Sequence, residues 1–115
     1  MSAPRSRVLH LRVMGLLGKI FGMEDRPLPT SVDDDNFEQE VARSKLPVVL
    51  DVWSPSCGPC KKLEPIMMDL TRDYEGRVKV CELNASASPR TAARLGVRGT
   101  PTVLYVDKGK VLERV

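Results

Sequence analysis

The chain has few aromatic residues and no long apolar run, and each shortage removes a class of function. One tryptophan, two tyrosines and two phenylalanines are too few to stack nucleic-acid bases beside clustered basic residues, so no nucleic-acid partner is expected. The most apolar stretch is interrupted by His10, Arg12 and Lys19. It therefore falls short of the roughly 18 apolar residues that a membrane-spanning helix needs.

Cysteine is also scarce, with three residues in 115. Two of them lie in one Cys-x-x-Cys, a loop too short to act as a stabilising staple in a secreted scaffold. Cysteine usage therefore indicates redox chemistry or metal binding. The chain length fits one small domain with one core, and hydrophobic residues at 42% are ordinary globular composition.

The net charge of +3 comes from the start of the chain, because residues 1–23 carry four basic residues and no acid. The remainder is nearly neutral. If residues 8–23 were helical, one side would carry an apolar stripe of Leu9, Val13, Leu16, Leu17 and Ile20. One interpretation is a weak contact with a membrane surface or a partner. The three glycines in this segment disfavour a helix and therefore favour the other interpretation, a frayed leader or an upstream start-codon extension.

A linker is predicted at residues 26–30, because Pro27 and Pro29 disfavour both a helix and a central strand. We therefore divide the chain into an extension with its linker, residues 1–27, and a folded domain, residues 28–115. The apolar run 13–17 is too short for a signal peptide. The cytoplasm is the expected compartment, with membrane association or export through residues 1–27 as the alternative.

The domain shows alternating helix and strand patterns. Asp35 and Glu38 predict a capping box for a first helix, and Pro65 predicts a kink in the second. The predicted order is a helix after residue 36, strand 48–53, helix 59–76, strand 78–83, a short helix 89–95 ended by Gly96, and strands 102–106 and 110–114. This order predicts a mixed α/β fold.

Cys57-Gly58-Pro59-Cys60 follows a predicted strand and opens a predicted helix. At that place the unpaired backbone N–H groups and the helix dipole stabilise a thiolate, which is the attacking species in disulfide exchange. We therefore predict Cys57 as the nucleophile and Cys60, one turn later, as the resolving thiol. Asp51, the one acid in the buried strand, is predicted to accept the proton of Cys60.

The chain resembles the thioredoxin family over residues 30–115, through three runs taken together. They are Val49-Leu50-Asp51-Val52-Trp53, Cys57-Gly58-Pro59-Cys60-Lys61 and Gly96-Val97-Arg98-Gly99-Thr100-Pro101-Thr102. The resemblance implies a thioredoxin-like fold, a central mixed sheet flanked by helices and ending in an antiparallel hairpin. It also implies a monomeric enzyme without a bound cofactor that exchanges electrons with protein disulfides and a thioredoxin-reductase-like donor.

By the same resemblance, Thr100-Pro101 is expected to be a cis peptide beside Cys57, where it offers backbone groups to an extended substrate. Trp53, Gly58 and Pro59 are expected to complete the substrate surface. The Gly58-Pro59 pair resembles the reducing members of the family, which favours a general reductant.

Three departures from the family pattern stand out. Ser56 replaces the usual tryptophan before the first cysteine, and Glu82 replaces a common lysine. Two facing carboxylates would raise one pKa and slow proton removal from Cys60 near neutral pH. The third departure is that the sequence stops at Val115, before the final helix that the family places against the sheet; either this helix is truncated or another segment fills its place, and the stripe from Leu9 to Ile20 is a candidate.

Other interpretations are weaker. A zinc site at Cys57 and Cys60 would have only Cys81 and His10 as further sulfur or nitrogen ligands, so no metal is expected. Cys81 lies in a buried-strand pattern and is expected to be a core residue. Two function classes remain as alternatives: a non-catalytic module that binds partners through its proline loop, and a membrane-surface protein that acts through its N-terminal segment.

Overall fold

The computed structural model describes residues 27–115, which form a five-stranded sheet with helices on both faces. The predicted extension, with its apolar stripe, lies outside these residues. In chain order the elements are β1 (Thr30–Val32), α1 (Glu38–Ala42, a single π-helical segment), β2 (Val48–Trp53), α2 (Gly58–Asp73), β3 (Lys79–Asn84), α3 (Pro89–Arg94), β4 (Thr102–Asp107) and β5 (Lys110–Arg114).

The strands lie in the order β1-β3-β2-β4-β5. The first three are mutually parallel, whereas β4 runs antiparallel to β2 and β5 antiparallel to β4. The predicted mixed sheet with a final antiparallel hairpin is thus confirmed. Because β2 and β3 are parallel, their C-terminal ends lie at the same edge of the sheet. Helix α2, which follows β2, begins at this edge.

The core lies on the sheet face that carries alternate residues of β2, among them Leu50 and Val52. Val41 of α1 and Ala92 of α3 pack into the same cluster. The opposite face lies against α2. It carries the intervening residues, including Asp51, so the acid of β2 points away from the main core.

The structure corrects the predicted end of the linker. Thr30 was assigned to the linker, but it begins β1 and pairs with Cys81. The capping box between Asp35 and Glu38 is wrong as well, because Asp33 and Asn36 form the reciprocal hydrogen bonds. Asp33 Oδ1 accepts from the N–H of Asn36 at 2.9 Å, and Asn36 Oδ1 accepts from the N–H of Asp33 at 2.7 Å. The helix that follows is a short π-helical segment without a side-chain cap.

The remaining elements agree with the sequence prediction to within a few residues. Helix α2 ends at Asp73 rather than Gly76 and continues through Pro65; a kink there stays a prediction. Gly96 has a φ of +69° after α3, as expected of a left-handed residue that ends a helix. Strands β2 and β5 have the predicted bounds.

An apolar groove of about 410 Å³ runs between the C-terminal half of α2 and the sheet. Leu70 and Tyr74 form its helical wall, and Val80, Tyr105 and Leu112 lie on the strand side. The stripe from Leu9 to Ile20, predicted to cover an open face, lies outside the described residues. Within residues 27–115 no helix combines the length and apolar character required to cross a bilayer.

Candidate active site

Cys57 and Cys60 are joined in a disulfide at the N-terminus of α2, with their Cα atoms 5.3 Å apart. Cys57 has extended backbone (φ −92°, ψ 107°) and occupies the N-cap position. The backbone N–H of Cys60 donates to Cys57 Sγ at 3.2 Å. The side chain at an N-cap usually accepts this hydrogen bond through an oxygen atom, whereas Cys57 accepts it through sulfur. The same N–H would stabilise a Cys57 thiolate.

The local sequence explains why the helix begins there. Pro59 lies in the first turn, where its missing N–H costs no hydrogen bond and its fixed φ suits the helix. Both sulfur-bearing residues are buried, whereas Gly58 and Pro59 between them are exposed. A partner can therefore approach this surface over the two residues that separate the cysteines.

Asp51 lies six residues before Cys57 and is buried, with 4% of its surface exposed. Burial, and after it the negative charges of Glu82 and Glu64, raise the pKa of Asp51 to about 6. Its Oδ1 atom has no hydrogen-bond partner within the described residues. A buried carboxyl that gains so little from its surroundings holds its proton more tightly than an exposed one, and this is a property of an acid that exchanges protons near neutral pH.

Glu82 is the register partner of Asp51 on the neighbouring parallel strand β3, so both side chains project from the same sheet face. Burial, followed by the charge of Glu64, raises the pKa of Glu82 too. The predicted like-charge pairing of Asp51 and Glu82 is therefore present. Glu64 was missed in the sequence, although its spacing of four residues from Cys60 in a predicted helix places both on one helix face.

The Thr100-Pro101 peptide is cis, as the resemblance implied. Thr100 Oγ1 and Ser54 Oγ form a hydrogen bond of 2.7 Å, and the carbonyl of Ser54 accepts from the N–H of Cys57 at 3.2 Å. Two hydrogen bonds thus connect Cys57 to the proline loop. Nothing in the sequence indicated the Ser54 contact, because its partner lies 46 residues away.

An open depression of about 680 Å³ lies beside the cis peptide, with Arg98, Thr100, Pro101 and Arg114 among its lining residues. Arg114 is held in place by hydrogen bonds to the carbonyls of Leu95 at 2.6 Å and Gly96 at 3.3 Å.

Trp53, the last residue of β2, is half-buried and its carbonyl accepts from the N–H of Ala85 at 2.8 Å.

The third cysteine lies apart from this site. Cys81 is fully buried in the core cluster on β3, as predicted for a core residue. Burial raises the pKa of its thiol to about 11. Among residues 27–115, no three histidine, cysteine, aspartate or glutamate side chains are arranged to hold a metal ion.

Comparison with known proteins agrees with this geometry. The thioredoxin family model matches residues 29–115. The thioredoxin of Synechocystis sp. is 39% identical over 84 residues, which is 73% of this chain and 78% of that protein. The thioredoxin of Pseudomonas aeruginosa is 42% identical over 81 residues, or 70% and 75% of the two chains. That of Thiocapsa roseopersicina is 42% identical over 80 residues, or 70% and 88%. Since the family model covers most of the chain and its relatives are matched over most of their length, the chain belongs to the thioredoxin family of thiol-disulfide oxidoreductases.

Proposed function

We propose that this thiol-disulfide oxidoreductase reduces protein disulfides, with Cys57 as nucleophile, Cys60 as resolving thiol and Asp51 as proton acceptor. The observation that carries the proposal is the position of the Cys57–Cys60 disulfide at the N-terminus of α2. There the N–H of Cys60 already donates to Cys57 Sγ. A negative charge on that sulfur is therefore favoured before any substrate binds.

The reaction proceeds in two displacements. The Cys57 thiolate attacks one sulfur of the substrate disulfide, a mixed disulfide forms, and the other substrate sulfur leaves as a thiolate. Cys60 then transfers its proton to Asp51 and attacks Cys57 Sγ, which releases the second substrate thiolate. Two electrons pass to the substrate, and the oxidised Cys57–Cys60 pair is reset by an electron donor.

Substrate recognition is assigned to the surface around the disulfide. Gly58 and Pro59 are exposed, and the depression at Thr100 and Pro101 is open to solvent. We propose that an extended substrate segment lies across this depression and pairs with the backbone of the loop, with Trp53 beside it. Backbone pairing supplies affinity without requiring one substrate sequence.

We propose a reducing role, with a reduction potential near the roughly −270 mV of thioredoxin, because the Gly58-Pro59 pair resembles the reducing members of the family. Thioredoxins in general take electrons from a reductase and pass them to protein disulfides. A potential measured against glutathione tests this assignment. A value near the roughly −120 mV of the oxidant DsbA would contradict it.

We also propose a cytoplasmic monomer in which residues 28–115 form the enzyme and residues 1–27 are an extension. We assign residues 8–23 no part in catalysis; a weak contact with a membrane surface is the alternative that their apolar residues and basic charges support. Deletion of residues 1–23 should leave insulin reduction unchanged, and a loss of cosedimentation with anionic vesicles in this deletion would support the membrane contact. Loss of insulin reduction in this deletion would contradict the proposed division of the chain.

Reduction of insulin disulfides by dithiothreitol tests the central proposal. The wild-type chain should accelerate the reaction, and Cys57→Ser should return it to the rate of dithiothreitol alone. In a separate reaction without dithiothreitol, pre-reduced Cys60→Ser should trap a mixed disulfide that appears on a non-reducing gel, because the resolving thiol is missing. Cys81→Ser is the matched control and should retain activity, since Cys81 lies in the core. Insulin reduction that survives the loss of both Cys57 and Cys60 would contradict the proposal.

A further inference from the structure

Two glutamates from different elements of the fold place negative charge near Asp51. Glu82 lies next to it on β3, in register and on the same sheet face. Glu64 lies one turn after Cys60 on the same face of α2, which packs against this side of the sheet, and is exposed to solvent; its charge acts more weakly on both Asp51 and Glu82. The residue opposite Asp51 on β4 is Val103, which is uncharged. Within residues 27–115, every charged group that perturbs Asp51 is thus negative.

The neighbours of Asp51 do not supply the contacts that usually hold a carboxylate ionised. Asp51 Oδ1 has no partner in the described residues, and its side chain is buried. A buried carboxylate that lacks a hydrogen-bond donor and has two negative neighbours gains a proton readily. The same acid is a stronger base once it has lost that proton, which is the condition that the resolving step requires.

On this geometry, and building on the proposed function, we infer that Glu64 and Glu82 are positioning residues that set the pH range in which Asp51 takes the proton of Cys60. The bonds formed and broken are the same as in the proposed second displacement. The proton moves from Cys60 Sγ to the Asp51 carboxylate, the Cys60–Cys57 bond forms, and the bond from Cys57 to the substrate sulfur breaks. The glutamates contact none of the reacting atoms and act only through the charge that they place beside Asp51.

Glu82 was expected to slow proton removal near neutral pH. Because the pKa of Asp51 is raised to about 6, the carboxyl is mostly ionised at pH 7 and the slow range lies below pH 6. Above that pH, each glutamate should make the resolving step faster, because it makes Asp51 a stronger base.

The test follows both displacements with an aromatic disulfide, 5,5′-dithiobis(2-nitrobenzoate), in stopped flow. Attack by Cys57 releases the first thionitrobenzoate and resolution by Cys60 releases the second. In the wild-type chain the second release should fall with an acid midpoint near pH 6. Glu82→Gln should lower that midpoint by about half to one pH unit and slow the alkaline plateau by about two- to threefold, since a weaker base accepts the proton. Glu64→Gln should act in the same direction by a smaller amount, because solvent screens the charge of this exposed residue.

Glu75→Gln is the matched control, because Glu75 is exposed and lies beyond the end of α2; its profile should match that of the wild type. A carbon-13 NMR titration of Asp51 checks the midpoint independently of any rate. An unmoved midpoint in both glutamine variants, with two releases still seen in the wild type, would overturn this inference alone. Absence of a second release in the wild type would instead overturn the proposed function.

Discussion

The side-chain oxygens of Ser54 and Thr100 lie 2.7 Å apart, although 46 residues separate them in the chain. Ser54 belongs to the turn that precedes Cys57, and Thr100 precedes the cis proline. The hydrogen bond therefore joins the loop that carries the nucleophile to the loop proposed to receive the substrate. Ser54 and Thr100 each lie two residues beyond the register pair Val52 and Thr102 of β2 and β4, so this contact holds the two loops together where the strand pairing ends.

Removal of this hydrogen bond is expected to loosen substrate binding more than chemistry. Ser54→Ala and Thr100→Val should each raise the KM for insulin by at most about two- to twelvefold, because a lost neutral hydrogen bond costs about 0.5 to 1.5 kcal/mol. The first displacement on a small aromatic disulfide should change little, because such a substrate needs only Cys57. Steady-state insulin reduction and stopped flow measure the two effects.

A double-mutant cycle separates the contact from its surroundings. The two substitutions should be non-additive, since the second removes nothing that the first has not already broken. Thr71→Val is the control, because its hydroxyl also donates one hydrogen bond, to the Met67 carbonyl at 2.7 Å, but lies within α2. Fully additive effects of Ser54→Ala and Thr100→Val would show that the two loops are held by other contacts.

The sequence predicts the parts of this site that depend on local signals. The end of β2, the start of α2 and the place of Pro59 follow from a β-branched run and from helix-start chemistry over a few residues. The Ser54 contact could not be predicted, because it depends on how two distant loops meet. The facing pair of Asp51 and Glu82 was expected from the resemblance. Glu64 lies between these cases: its spacing from Cys60 is visible in the sequence, but its effect on Asp51 depends on how α2 packs against the sheet.

The same distinction explains the errors in the fold. β1 has three residues beside two prolines, too short a run to predict from alternation. It is a strand because the edge of β3 offers backbone groups that it pairs with. The first helix was given the wrong cap because four polar residues in succession, 33–36, all have side chains able to accept from the backbone. Their competition is decided by the geometry of the turn rather than by composition.

Burial of Asp51 is expected to reduce the stability of the fold as pH rises. Its folded pKa of about 6 lies above its ordinary value of 3.8, so the folded state binds the proton more tightly than the unfolded state does. The resulting stabilisation is complete below pH 4 and is lost as pH rises through 6. Two pKa units correspond to about 2 to 3 kcal/mol.

Asp51→Asn tests this linkage, because it keeps the shape of the side chain and removes its titration. Urea unfolding of the oxidised protein should give similar stabilities for variant and wild type at pH 4, whereas the variant should be the more stable by about 2 kcal/mol at pH 7. Glu75→Gln, at an exposed position, should show no such divergence. A variant that is less stable at pH 7 than at pH 4, relative to wild type, would contradict the assignment.

The hairpin between β4 and β5 depends on a residue without a side chain. Gly109 has a φ of +77°, and a Cβ there would lie 3.3 Å from the Ala42 carbonyl oxygen. Gly76 has a similar φ of +82° but would meet nothing within 4 Å. Alanine at either position meets the same backbone strain of about 1 kcal/mol, and only Gly109→Ala also crowds α1. Thermal unfolding should show the larger loss for Gly109→Ala; equal losses would mean that the turn moves away from α1 at no cost.

Cys81 provides a measure of how tightly the central sheet is closed. It is fully buried on β3, and with a pKa raised to about 11 only about one thiol in a thousand would be ionised at pH 8 even if reagent could reach it. In a chain that carries Cys57→Ser and Cys60→Ser, Cys81 is the remaining thiol, so iodoacetamide should label it only when β3 opens. The labelling rate in water should therefore fall at least about a thousandfold below that of the same chain unfolded in guanidinium.

Mass spectrometry of timed samples gives both rates, and Cys81→Ala in the same background confirms that the label is on this residue. Labelling at the rate of an unfolded cysteine would mean that β3, which lies between β1 and β2, opens far more often than a strand paired on both sides should.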